Sequence, residues 1–422
     1  MGSITPAYVE NVREHLDSPG QWYFDNAKQE VVYYPLPGQL PGELEIILAV
    51  EQTLVKHEGA KNHNWNGITF EYGTWLRPMQ SDGYVEEQTG ACDICPYGVE
   101  LGFGCGSHDT FIVTPGNVVV SASQNIEFAN CTFQHLGAYA ASAMNSSKNV
   151  SWRGCAFRDV SAGAVALGDV TTWNVTDTTR WDKNFTVEDC EIVDLPVEYS
   201  GAAAIFAGYV DSTTIAHNHI VNTSYSGISI GWGWGHEASG HGNNHIVGNH
   251  IERVLQGGLP GENDPSGRCC DGGGIYSLGP QPGSSLARNY LFHADSAKAH
   301  VVGKAGYGPF GHGGHAIYHD QGSGGFTDTE NVVDGPWDAW ATVRPYGWKC
   351  AGESGHEVDC LINVTKNWGR TNGTIACSTR SATCRKVDPG FIVAGPASNI
   401  RLKQGEPFPA EALAIIAAAG PR

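Results

Sequence analysis

Asp271 leads into the string GGGIYS, and Asp320 closes the string HAIYH about one repeat later. If those strings are equivalent strands of neighbouring repeats, the two carboxyl groups face one cleft. A carboxyl pair flanking a bound sugar is what glycoside hydrolysis requires, one as general acid and the other as nucleophile or general base. The glycines after Asp271 are read as letting a substrate approach the backbone closely. Asp before Gly, or at a strand end, is also an ordinary turn former, so the reading depends on what surrounds the pair.

The surroundings are aromatic and polar. Glu198 and Tyr199 come in VEYSG, Trp232, Trp234, His236 and Glu237 in SGISIGWGWGHE, Tyr276 and Gln281 in GGIYSLGPQPG, and His315, Tyr318, His319 and Gln321 beside Asp320. Trp232 and Trp234 sit two apart between glycines, so in an extended chain both indoles point one way and offer flat faces for sugar stacking. Core filling is the alternative for tryptophan. His315 and His319 are read as hydrogen-bonders to hydroxyls or as helpers of Asp320. The many histidines lack a His-x-x-x-His pair on helical sequence, and glycines surround them, so no metal and no cofactor is assigned.

These residues need a scaffold that repeats. Aligning the segments that begin at Asn125, Asn149 and Asn184 puts Cys131, Cys155 and Cys190 at one position. The same frame places Ile68 before them and Asn218, Asn249, Asn289, Asn331 and Asn363 after them. Three residues earlier stand Trp65, Phe128, Trp152, Val187, Ile215, Ile246 and Leu286; two residues later stand Phe70, Phe133, Phe157, Ile192, Ile220, Ile251, Leu291 and Val333. Two short strands meeting at a bend, each with an apolar side on one interior, explain this spacing. A third strand per repeat is read in GAVALG, AAAIFAG, GISIGW, GGIYSLG, HAIYHD and DAWATV. A short core repeat with loops of variable length describes a parallel β-solenoid. The column of small thiols and asparagines is read as a buried ladder, which leaves those three cysteines free and the sequon at Asn363 silent. Asp328 and Cys360 stand where apolar residues stood before, so the last repeats are expected to fray.

Composition agrees. Glycine supplies 55 of 422 residues while only 16% are charged, which disfavours both disorder and helix bundles. The net charge of −19 repels phosphate backbones and anionic headgroups, so neither nucleic acid nor a membrane is an expected partner. The apolar run Ala410 to Ala419 is too short to span a bilayer and reads as a terminal helix. Val9 to Gly20 reads as a short helix and Gln21 to Pro35 as a β-hairpin, together capping the stack. The domains expected are residues 1–60 as this cap, 61–400 as the solenoid and 401–422 as a tail with a short helix. Cysteines bunched in loops, among them Cys92, Cys95 and Cys105, point to disulfides more than to a zinc site with His108. Sequons at Asn130, Asn145, Asn149, Asn174, Asn184, Asn222, Asn363 and Asn372 lean towards a glycosylated, secreted protein. No apolar leader precedes them, so the chain is expected to start inside a longer precursor.

Residues 8 to about 420 resemble proteins of the glycoside hydrolase family 141 type. The resemblance rests on VENVREHLDSPGQWYFDNAKQEVVYYP before the repeats, and on AAAIFAGYVDSTTIAHNHIVNTSYSGISIGWGWG, DGGGIYSLGPQPG and HAIYHDQGSGGFT in order within them. It implies an all-β, right-handed parallel β-helix with an N-terminal cap. It also implies an extracellular hydrolase of plant cell-wall polysaccharide, with fucosidase or xylanase activity and an aspartate pair that falls on Asp271 and Asp320. A monomer acting on an oligosaccharide or polysaccharide is expected. Two other readings stay open: a non-catalytic carbohydrate-binding protein, which needs no acid pair, and a polysaccharide lyase, for which Arg253, Arg268 and Arg288 are the nearest bases.

Overall fold

A computed structural model of the chain describes residues 11–79, 84–93, 111–172, 174–233, 241–255, 272–293, 315–335, 337, 339–343, 362–370, 375–377, 393–394, 399–403 and 405–422. Among the described residues the protein is all-β apart from short helical turns and one terminal helix, and its long sheets are parallel.

Successive strands visit three sheets in turn. Ile205–Ala207 lies in the first, Thr214–Ala216 in the second and His219–Val221 in the third, after which Ile228–Ile230 returns to the first. Each strand pairs in parallel with its counterpart one circuit away. The first sheet runs from Val55–Glu58 to Ile375–Cys377, and the third from Thr69–Gly73 to Ile400–Arg401. The third-strand strings of the sequence fall in this first sheet, in chain order, as Val165–Leu167, Ile205–Ala207, Ile228–Ile230, Gly273–Ser277, His315–His319 and Ala339–Val343.

Constant register stacks like on like. Phe133 pairs with Phe70 and Phe157, and their rings lie nearly parallel at 5.0 and 4.8 Å. Phe128 stacks on Trp152 at 5.6 Å, continuing into Val187, Ile215, Ile246 and Leu286. Together these columns form one apolar interior that runs through the circuits.

At the bend between the second and third sheets runs a buried polar ladder. Asn218, Asn249, Asn289 and Asn331 each donate Nδ2 to the carboxamide oxygen of the next member, at 2.9 to 3.0 Å. Each also donates to a carbonyl one circuit back, those of Val187, Ile215, Ile246 and Leu286. Cys155 and Cys190 make the same backward bond with their thiols, to Phe128 and Trp152, and with Cys131 they are free and buried. Burial of so many amides is tolerable because every donor is used. After Asn331 the ladder continues through Asn367 and Asn399. Asn363, expected there, lies instead on the strand Ile362–Thr365 opposite Thr327, and Val364 stacks on Asp328. Pairing therefore persists through the last circuits rather than fraying.

The hairpin appears as expected, with Trp22–Asp25 antiparallel to Glu30–Tyr33. The helix expected before it is reduced to a 3-10 turn, Arg13–His15. Asn11 breaks it, with φ of 51° and a side chain bonded to both backbone groups of Phe24. At the other end the helix Ala410–Ala418 lays Ala412 against Val332, Trp368 and Phe408, over the third sheet.

Candidate carboxylate site

Alternation along the first sheet sorts the site residues. Ile275 and Ile317 point into the interior, so the neighbours that follow, Tyr276 and Tyr318, point to the opposite face, and Ser277 and His319 point inward again. Tyr276 and Tyr318 are in register one circuit apart, with ring centroids 5.4 Å apart at 75°. His315 sets its ring 4.7 Å from Tyr318.

Asp320 follows that strand and is 2% exposed. The Tyr276 hydroxyl donates to Asp320 Oδ2 at 2.8 Å, and Gln88 Nε2 donates to the Tyr276 oxygen at 3.0 Å. Gln88 also reaches the Tyr225 oxygen at 3.3 Å. A short bond from a phenol fixes the plane of a carboxyl group.

The turn carrying Asp320 is held from below. Asp320 N donates to Ser277 O at 3.0 Å, Ser323 N donates back to Asp320 O, and Ser323 Oγ donates to Ser277 O at 2.9 Å. Ser277 Oγ lies 2.8 Å from His319 Nδ1, and His319 Nε2 lies 2.8 Å from Asp328 Oδ2. His319 and Asp328 are wholly buried. Asp328 stands in the column of Leu286 and Val364. A polar group in an apolar column costs stability unless paired, and His319 is its partner. The sequence marked Asp328 only as a break in the pattern; its link to the turn of Asp320 lay in the fact that His319 faces the same interior.

The other expected residues are distributed as follows. Tyr276, Tyr318, His315 and Asp320 come together, with Tyr276 and Tyr318 buried at 0% and 2% exposed; His319, expected to bond a sugar hydroxyl, instead faces the interior and is wholly buried between Ser277 and Asp328. Trp232 does not offer a sugar-stacking face: it is 1% exposed, packed edge-on to Phe111 at 5.7 Å and to Phe206 at 6.1 Å. Gly231 and Gly233 adopt φ near 90°, and the turn they make folds the indole back onto the sheet. Gln281 is buried as well, bonding Ile230 O and accepting from Asn244, so it supports a corner of the stack instead of a ligand. Tyr199 joins a separate aromatic cluster with Trp75 and Tyr84, and Glu198 is exposed beside it. Asp271, Trp234, His236 and Glu237 lie outside the described residues, as do Cys95, Cys105 and His108. The glycines after Asp271 are not an approach path: Cβ atoms at Gly272, Gly273 and Gly274 would meet Tyr225, His315 O and Leu291 at 2.6 to 2.9 Å.

Sequence reasoning missed Gln88. It belongs to an inserted three-stranded antiparallel sheet of Val85–Gln88, Ala91–Asp93 and Phe111–Val113. Its signal was indirect: GAVALG and AAAIFAG carry small apolar residues where an exposed face would carry polar ones, the mark of strands covered on both sides.

No family model matches the chain, and no curated protein matches it. Among solved structures, one described as a glycoside hydrolase superposes with a TM-score of 0.67 at 23% identity, covering 98% of this chain. The chain spans 60% of the length of that structure, and the likeness is one of fold. Another, PfbA, a surface adhesin of Streptococcus pneumoniae, aligns at 12% identity over 78% of this chain and 74% of its own, with a TM-score of 0.38.

Proposed function

We propose that this protein is an extracellular glycoside hydrolase on a right-handed parallel β-helix, acting on a cell-wall glycan in a fucosidase- or xylanase-like manner with Asp320 and Asp271 as its carboxyl pair. In this reading residues 1–60 cap the helix, 61–400 form it and 401–422 close it. The observation that carries the proposal is the setting of Asp320: a carboxyl group whose turn is held by Ser277 and Ser323 and which is oriented by Tyr276, whose ring packs on Tyr318 and, through it, on His315. In this reading Asp320 and Asp271 divide between them the parts of general acid and of nucleophile or general base. His315, which is partly exposed, is the contact proposed for the sugar, while Tyr276 and Tyr318, 0% and 2% exposed, position Asp320 from beneath; the shared fold of a solved glycoside hydrolase is consistent with the scaffold.

The test is Asp320→Asn, assayed on 4-nitrophenyl α-L-fucoside, 4-nitrophenyl β-D-xyloside and extracted plant cell-wall polysaccharide. Turnover is expected to fall about a thousandfold, with a melting temperature close to that of the parent. Retained turnover, or a loss explained by unfolding, removes Asp320 from the chemistry.

A further inference from the structure

We infer that Gln88, brought in by the inserted sheet, is a positioning residue of the carboxyl site: it sets the direction of the Tyr276 hydroxyl and through it holds Asp320; this rests on the hydrolase reading above. Gln88 ends the strand Val85–Gln88, in a three-stranded sheet separate from the three long ones. Its side chain nonetheless meets Tyr276, 188 residues further along the chain.

A phenol has one proton to give and can accept as well. Gln88 Nε2 donates to the Tyr276 oxygen at 3.0 Å, and the Tyr276 proton is directed to Asp320 Oδ2 at 2.8 Å. The bonds thus run one way, from amide to phenol to carboxyl. Hydrogen bonds in a chain polarise one another, so the donor at the head strengthens the bond at the foot. Gln88 Nε2 also reaches the Tyr225 oxygen at 3.3 Å, a second acceptor that fixes the plane of the amide. Tyr276 is 0% exposed, so bulk water does not take the place of a lost donor, and the loss falls on the bond to Asp320.

The inserted sheet does not depend on Gln88 for its place. Ala91, Phe111 and Val113 pack on Ala166, Phe206 and Trp232 in one apolar cluster. Tyr139 donates its hydroxyl to Thr89 O at 2.8 Å, Thr89 bridges Ala202 as a parallel strand would, and a Cβ at Gly90 would stand 2.6 Å from the Tyr139 oxygen. Lifting the sheet would expose Phe206 and Trp232 to water. Gln88 is therefore presented from a fixed support, and its side chain can be exchanged without releasing the strand that carries it.

Steady-state kinetics on the intact protein test this, with the two aryl glycosides and the cell-wall polysaccharide named above. Gln88→Leu removes the donor, whereas Gln88→Glu keeps the shape and offers an acceptor that draws the Tyr276 proton away from Asp320. We expect kcat to fall about tenfold for Gln88→Leu and further for Gln88→Glu, with KM and melting temperature close to those of the parent. In a Tyr276→Phe background the chain of bonds is already cut, so adding Gln88→Leu is expected to leave kcat where Tyr276→Phe put it. An unchanged kcat in Gln88→Leu, an equal further fall in the Tyr276→Phe background, or a fall in kcat that only follows a fall in melting temperature would overturn the positioning role while leaving the hydrolase reading in place. Release of no sugar by the parent from any of these probes overturns the hydrolase reading, and this inference with it.

Discussion

Asp328 and His319 show how one interior substitution serves a position on the outside. Trp65, Phe128, Trp152, Val187, Ile215, Ile246, Leu286 and Val364 occupy the column in which Asp328 stands. Replacing one partner of a buried polar pair strands the other, whereas replacing both with apolar groups is often neutral or stabilising. We therefore expect Asp328→Leu to destabilise the protein by about 3 kcal/mol, and the double variant Asp328→Leu with His319→Phe to recover most of that loss. Turnover in the double variant is expected to stay reduced about tenfold with KM little changed, because the turn of Asp320 loses its hold at Ser277. Thermal melts and steady-state kinetics decide it; a double variant that melts like the parent and turns over like it would make the pair merely structural. The sequence showed Asp328 as an anomaly and Asp320 as a candidate. That Trp232 and Gln281 would be buried was not legible, because what covers them is remote in sequence.

At the scale of elements the repeat was readable because register is constant, so a single column of side chains could be followed from Ile68 to Asn331. The slip at Asn363 has a plain cause. Alignment sought an apolar residue three places before the ladder, and Cys360 was accepted there, although Val364 to Asn367 repeats the spacing of Ile246 to Asn249 and Leu286 to Asn289. The inserted sheet, by contrast, is set by tertiary packing, and only the small residues beneath it betray its presence. The ladder yields a prediction of its own. Asn289→Ala removes the bond to the Ile246 carbonyl and the acceptor of two Asn249 donors, while the Asn331 carboxamide oxygen keeps only its bond from the backbone N of residue 289. Each buried unsatisfied group costs about 1–3 kcal/mol, so denaturant unfolding should show a loss of several kcal/mol, far above that of a surface Asn→Ala control. A loss no greater than the control's would mean that water replaces the amide.

For the molecule as a whole, stability should depend on pH through a carboxyl group that the fold keeps from ionising. Asp182 is 3% exposed, and burial, assisted by nearby Asp169 and opposed by the bond from Ser147 N, pushes its pKa up to about 8. In the unfolded chain the same group ionises near its ordinary value of about 4. The unfolded state thus releases a proton that the folded state keeps, and stability falls as pH rises from about 4 to 8 before levelling off. Asp182→Asn retains the acceptor for Ser147 and removes the titration. We expect the variant to match the parent at pH 4 and exceed it by on the order of 5 kcal/mol at pH 9. Parallel stability curves for the two proteins would show that Asp182 is charged when folded. The constant register has one more consequence. Because neighbouring circuits repeat the same Cα positions, distances along the first sheet come only in whole steps of one strand spacing, as between Tyr276 and Tyr318. Such a molecule is a graduated rule: new ligand lengths can be met by exchanging side chains at its marks or by adding a mark, but not by stretching the scale between them.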